Sequence, residues 1–141
     1  MANQKFAKYK MASLLGTVAV LAHVVIVLLH GVAHSSLGVE LSAWQKTYAA
    51  IVIVATPLVA AVLLWTRHVR FALLLLAASM AGSLIFGGYY HYLAISADHV
   101  SHLPPGDAQG LFRLTAMLLT VPETFGVAVG LLGLRSVKAK T

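Results

Sequence analysis

Four long, predominantly apolar stretches constrain the fold of this chain more than any other feature of its sequence. They run over about residues 11–34, 44–65, 71–95 and 111–134. Because roughly 20 apolar residues in a helix cross a bilayer core about 30 Å thick, each stretch is long enough to span a membrane. The stretches and their short connections predict a single transmembrane domain over residues 1–141, folded as an all-α, integral membrane four-helix bundle.

The composition favours the same class of protein. Charged residues make up 10 % of the chain and hydrophobic residues 60 %, whereas soluble domains average about 25 % charged residues. A soluble fold of this length would lack the polar side chains needed to cover its surface. The lipid bilayer is therefore the first partner that the sequence predicts.

The positions of the basic residues predict the orientation of the helices. Of ten Lys and Arg residues, only Lys46 and Arg113 fall on one side of a four-span chain. The other eight are Lys5, Lys8, Lys10, Arg67, Arg70, Arg135, Lys138 and Lys140. Since Lys and Arg concentrate in cytoplasmic loops, we expect an antiparallel up-down topology with both termini cytoplasmic, in a bacterial or archaeal inner (plasma) membrane.

The net charge of +6 does not indicate a nucleic-acid partner. No stretch of the chain combines dense basic charge with exposed aromatic residues, as nucleic-acid-binding proteins do.

Small residues recur on the third and fourth stretches, including Gly82, Gly126 and Gly130. Such residues let helices approach closely in lipid. We expect them to pack within the bundle, and the alternative is a surface for a homo-oligomer or for other membrane subunits.

Several kinds of chemistry are excluded by the residues present. The chain has no cysteine, so it cannot form disulfides, thiolate metal sites or iron–sulfur clusters. It also contains no HExxH sequence, no P-loop and no nucleophile motif. No catalytic residue is predicted, and whether the protein is an enzyme stays open.

Seven histidines are the most informative polar residues in so apolar a chain. His23, His30 and His34 share one helical face, because steps of seven and eleven residues fall within about 20° of whole turns. This face is expected to point into the bundle, since ionisable groups facing lipid are costly. His91 ends the third stretch near the same membrane boundary. We predict a metal site near the outer membrane face with the ligands His30, His34, His91, Asp98, His99 and His102.

Imidazole and carboxylate ligands without sulfur suit copper, iron or zinc. In this interpretation Asp98, His99 and His102 are loop ligands or hold the other imidazoles in place. Four residues are expected at the rim of the site: Trp44, Gln45, Tyr89 and Tyr90. Deeper in the membrane, His23 and Glu123 are expected at similar depth and would form a buried polar pair.

Two other functions remain open. A haem b-binding electron-transfer protein needs one histidine from each of two helices, and His30 or His34 with His91 meets that condition. A non-catalytic accessory subunit of a larger membrane complex needs no cofactor. If the protein is an enzyme, redox chemistry on a lipid-soluble substrate or quinone is the expected class, because a shallow metal site would lie beside lipid.

Overall fold

A computed structural model describes residues 2–138, with side-chain environments for residues 9–136. Four helices follow one another within this range: α1 Ala2–Leu37, α2 Ala43–Leu63, α3 Val69–Leu93 and α4 Gln109–Lys138. Each is long and apolar enough to cross a membrane, and residues 2–138 contain no strand. The predicted all-α fold with four helices of membrane-spanning length is confirmed for this part of the chain. Lys140 and the side chains of Lys5, Lys8 and Lys138 lie outside the described residues.

Helix α4 is the element against which the others assemble. It packs along both α1 and α3, and α2 packs mainly against α3. Gly126 and Gly130 of α4 allow the close approach to α3. A methyl group at Gly130 would lie 2.7 Å from the carbonyl oxygen of Leu73 and 2.8 Å from Cβ of Ala77, which is too close for either contact. The small residues of this face therefore serve packing inside the bundle.

Two apolar clusters hold the bundle together. The first fills the half of the bundle that contains the α2–α3 connection, and includes Val20, Leu64, Leu73, Leu76 and Met80. The second lies at the opposite end, where the 94–108 loop folds back over the helix ends and Leu103 packs with Phe112. Between the two clusters the bundle contains most of its buried polar residues, which belong to the site described below.

Two π-helical segments interrupt the regular α-helices, at Ala49–Ala55 of α2 and Tyr89–Leu93 of α3. The first precedes Pro57, which lacks a backbone N–H. In an α-helical register this N–H would donate to the carbonyl oxygen of Ile53, so the proline leaves that oxygen without its helical donor. Segments of π-helix are rare and often lie at functional sites, and both of these border the cavity described below.

Helix α1 ends at a glycine that determines the path of the following loop. Gly38 has a φ of +62°, a left-handed conformation that favours glycine. The turn brings the N–H of Val39 within 3.1 Å of the carbonyl oxygen of His34. The carbonyl of Val39 is thereby placed beside the His34 side chain.

Candidate metal centre and membrane cavity

Three imidazole rings meet where α1, α3 and α4 come together. His30 and His34 lie on successive turns of α1, and His91 comes from the π-helical end of α3. The ring centroid of His30 lies 4.8 Å from that of His34 and 4.8 Å from that of His91. The His34 and His91 centroids are 6.2 Å apart, and the ring of Phe112 packs against all three. The predicted meeting of imidazoles from the first and third helices is therefore present.

Backbone carbonyls orient two of these rings. Nδ1 of His34 lies 3.4 Å from the carbonyl oxygen of Val39, and Nδ1 of His91 lies 3.1 Å from that of Asp98. A carbonyl oxygen can only accept, so Nδ1 carries the donated hydrogen in both rings. In the neutral rings, Nε2 is then left with a free lone pair. Metal-binding histidines in proteins are usually oriented in this way.

A threonine orients the third ring. Nδ1 of His30 lies 2.8 Å from the hydroxyl oxygen of Thr115, and this hydroxyl lies 2.7 Å from the carbonyl oxygen of Leu111. The carbonyl can only accept, so the hydroxyl that donates to it accepts the Nδ1 hydrogen of His30. His30 is only 8 % exposed, and its Nε2 has no hydrogen-bond partner. All three histidines thus hold Nδ1 against an oxygen atom.

The carboxylate of Asp98 lies against this cluster from the 94–108 loop. Its Oδ1 is 3.1 Å from Nε2 of His34 and 3.4 Å from Nδ1 of His91. Neither carboxylate oxygen accepts a hydrogen bond of good geometry, so these short contacts are electrostatic rather than directional. Burial by itself would raise the pKa of Asp98, but His34 and His91 beside it hold that pKa below its ordinary range.

The spacings resemble those of ligands around one ion. Two ligands bound tetrahedrally at about 2.0–2.1 Å lie roughly 3.4 Å apart, and two such imidazoles have ring centroids about 5 Å apart. As they stand, no three His, Asp or Glu side chains in the described part of the chain form a group that could hold a metal ion. The 6.2 Å separation of His34 and His91 is one reason, since side-chain rotation is needed to bring their Nε2 atoms to a common centre.

The other two predicted ligands lie elsewhere on the 94–108 loop. His99 is partly exposed and His102 is exposed, and their Nδ1 atoms are 3.1 Å apart. Nε2 of His99 donates to the carbonyl oxygen of Tyr92. The side chains of Asp98 and His99 follow each other in the chain but point to opposite sides of the loop, so only the aspartate reaches the cluster. The sequence cannot predict such a loop conformation.

The four residues expected at the rim do not line the cavity. Trp44 packs on the rings of Phe86 and Tyr90. The side chain of Gln45 accepts from the backbone N–H of Ser42 and so caps the start of α2. The fourth, Tyr89, is half exposed and packs on Tyr90.

A cavity of about 460 Å³ lies beside the imidazole cluster and extends into the bundle. Glu40 and Lys46, both exposed, lie at its mouth. Ser83 and Glu123 lie at its inner end, and the walls between are largely apolar. His30, His34, His91 and Asp98 also line it.

The predicted deep pair is present, although its members do not hydrogen-bond to each other. Nδ1 of His23 and Oε1 of Glu123 are 3.7 Å apart. Nε2 of His23 lies 2.9 Å from the carbonyl oxygen of Ile53, the one whose α-helical donor Pro57 removes. His23 is fully buried, and it replaces the missing N–H in the interior of the bundle.

Two functional candidates were not predicted from the sequence. Ser83 lines the cavity, and its buried hydroxyl has no hydrogen-bond partner. Thr115, which orients His30, had been given no role. The available signal was the presence of a hydroxyl group inside an apolar span, which is weak because such groups usually bond to their own helix.

No protein-family model matches the sequence, and no curated protein or solved structure is significantly similar to it.

Proposed function

We propose that the protein binds one transition-metal ion, of the zinc, copper or iron class, through His30, His34, His91 and Asp98. The observation that carries the proposal is the contact between Nε2 of His34 and Oδ1 of Asp98 at 3.1 Å. With Nδ1 of His34 donating to a carbonyl, a neutral ring would turn a lone pair toward a carboxylate. A cation is required between them, either a second proton on the ring or a metal ion.

The same cluster favours a single ion over haem b. A bis-histidine haem needs the porphyrin plane between two imidazoles. The rings of His30 and His91 instead meet edge to face at 4.8 Å, which leaves no space for a plane between them. The centroids of His34 and His91 are 6.2 Å apart, but Oδ1 of Asp98 lies 3.1 Å from one ring and 3.4 Å from the other. A small ion needs only that the three imidazole side chains rotate while each Nδ1 atom keeps its oxygen partner.

We further propose an antiparallel up-down topology with both termini cytoplasmic, in a bacterial or archaeal inner membrane. The excess of Lys and Arg near the termini and in the α2–α3 connection supports this orientation. Contacts between α1 and α2 support the antiparallel arrangement, since Ser13 pairs with Leu64 whereas His23 pairs with Ile53. The metal site then lies near the outer face. Redox chemistry on a lipid-soluble substrate is the activity that best suits an ion beside a cavity of this kind.

Metal analysis of the purified protein tests the proposal. We expect about one Zn²⁺, Cu²⁺ or Fe²⁺ per chain after chelation and reloading, and no Soret absorption. His34→Ala and His91→Ala should abolish this binding, whereas His68→Ala, which alters an exposed histidine of the α2–α3 connection, should not. Equal metal content in all three variants would contradict the assignment, and a Soret band would favour haem. The His99→Ala/His102→Ala double variant distinguishes two cases: a site with four ligands keeps its metal content in this variant, whereas a site with the six ligands that the sequence predicts loses it.

A second variant tests the orientation of the imidazoles without removing a ligand. Thr115→Val preserves the side-chain shape but removes the acceptor for Nδ1 of His30. Loss of such a supporting group typically weakens metal binding 10-fold to 100-fold. Thr120→Val on the same helix, which leaves the cluster untouched, is the matched control. Unchanged affinity in Thr115→Val, with normal helical content, would show that this hydrogen bond does not support metal binding by His30.

A further inference from the structure

The inner end of the cavity presents polar atoms that have no partner in the protein. Ser83 is 1 % exposed, and its hydroxyl makes no hydrogen bond. Glu123 lies at the same end, with the unpartnered Nδ1 of His23 beside it. Buried hydroxyl and imidazole groups nearly always have partners, and the bilayer core supplies none. An occupant that carries its own hydrogen-bonding atoms would satisfy this end of the cavity.

The cavity has an edge toward lipid between α1 and α2. Helix α1 contacts α2 mainly through Thr56–Leu63 and makes few contacts with the N-terminal half of α2. The exposed Gly31 and the partly exposed Ala49 line the cavity where the two helices separate. Gly31 lies within the membrane-spanning part of α1. A molecule dissolved in the bilayer can therefore enter from the side, without passing through water.

We propose that this cavity binds a lipid-soluble molecule of the phenol, quinol or quinone class, with one of its oxygen atoms between Ser83 and Glu123. The volume of about 460 Å³ lies within the usual range for small-molecule sites. Phe86 is among the residues of the wall beside which the ligand ring would lie. This proposal names the substrate class for the redox activity proposed above, and the binding step itself requires no metal.

The chemistry of the inner end and of the walls selects this ligand class. The hydroxyl of Ser83 donates to a quinone carbonyl and accepts from a quinol hydroxyl. The carboxyl group of Glu123 accepts from a hydroxyl when ionised and donates to a carbonyl when protonated. Val27, Ile53 and Leu119 in the walls offer no side-chain hydrogen bonds, so a sugar or a multiply charged ligand would lose its hydration without compensation.

Binding of a short-chain alkyl benzoquinone to the chelator-treated protein in nanodiscs tests the proposal. We expect saturable binding of about one quinone per chain. An alkylbenzene with the same tail but no oxygen should bind roughly tenfold more weakly, because it leaves the polar end unpaired. Ser83→Ala should weaken quinone binding roughly fivefold, which corresponds to one neutral hydrogen bond. Equal binding of quinone and alkylbenzene, or partition without saturation, would overturn the proposal.

A matched pair of glycine variants tests the position of the ligand. A Cβ atom added at Gly31 or at Gly88 meets open space, and of these two glycines only Gly31 lines the cavity. Gly31→Leu should therefore reduce quinone affinity tenfold or more, while Gly88→Leu should leave it unchanged. Equal affinities in the two variants would refute the placement. Metal titration of wild-type protein keeps the two proposals separable, since quinone binding without metal binding overturns only the metal assignment, and the reverse overturns only this one.

Discussion

The contact between His23 and the carbonyl of Ile53 leads to a prediction about Pro57. His23 donates to this carbonyl at 2.9 Å because the proline four residues later has no N–H to offer. His23→Leu should therefore leave the carbonyl oxygen unpaired inside the bundle. Pro57→Ala should restore a backbone N–H that can take the place of the imidazole. The two substitutions are expected to be strongly coupled.

The expected magnitude follows from the burial of the pair. An unsatisfied buried acceptor costs about 1–3 kcal/mol, although polar pairs in membrane bundles average about 0.6 kcal/mol with a maximum near 1.7 kcal/mol. His23 is fully buried, which favours the upper part of that range. We expect His23→Leu to lower the free energy of unfolding by about 1.5 kcal/mol in wild type and by about 0.5 kcal/mol in Pro57→Ala. The coupling energy is then about 1 kcal/mol, and any contribution from Glu123 cancels between the two backgrounds.

A double-mutant cycle measures this coupling. The free energy of unfolding of the four proteins would be obtained by titrating a denaturing detergent into mixed micelles and following helical circular dichroism. Independent sites add within about 0.3–0.5 kcal/mol. Coupling within that limit would refute the inference that His23 substitutes for the missing N–H. His68→Leu in the same two backgrounds is the control, and it should show no coupling.

Two further predictions concern packing and orientation. Gly130→Ala should lower the free energy of unfolding by about 1–3 kcal/mol, since its methyl group would overlap the backbone of α3. The methyl group of Gly88→Ala meets open space, so this variant should be more stable than wild type by up to about 1 kcal/mol. The same detergent titration measures both, and equal effects would contradict the close approach of α3 and α4. The chain has no cysteine, so an introduced one is the single thiol that a maleimide can label. Ser101→Cys should react with a membrane-impermeant maleimide in intact cells, and Thr66→Cys only after permeabilisation. The opposite pattern would reverse the proposed topology.

The deep pair shows how far sequence reasoning reached into the site. Counting residues along the helices predicted that His23 and Glu123 lie at similar depth, and they are neighbours. Depth is a property of one helix at a time, so it follows from a rise of about 1.5 Å per residue. The 3.7 Å gap between them depends on how α1 and α4 pack, and the donation of His23 to Ile53 depends on where the π-helical segment of α2 lies.

The imidazole cluster shows the same division. Helical spacing predicted that His30 and His34 share a face, and the membrane boundary predicted that His91 lies at their level. Which loop residues join them was not predictable, because a single peptide unit separates Asp98 from His99 and loop dihedral angles decide which one turns inward. Thr115 was likewise not predictable, since its contact with His30 joins residues 85 positions apart.

By itself the sequence determined that residues 2–138 contain four helices long and apolar enough to cross a membrane, because apolar length is a local property that the thickness of the bilayer selects. It also predicted that His23 and Glu123 lie at similar depth, and they are neighbours. Only the tertiary structure decided which polar atoms are paired, which are left facing the cavity, and where α1 and α2 separate. Those features depend on the rotation and divergence of packed helices, which side chains on several helices set together.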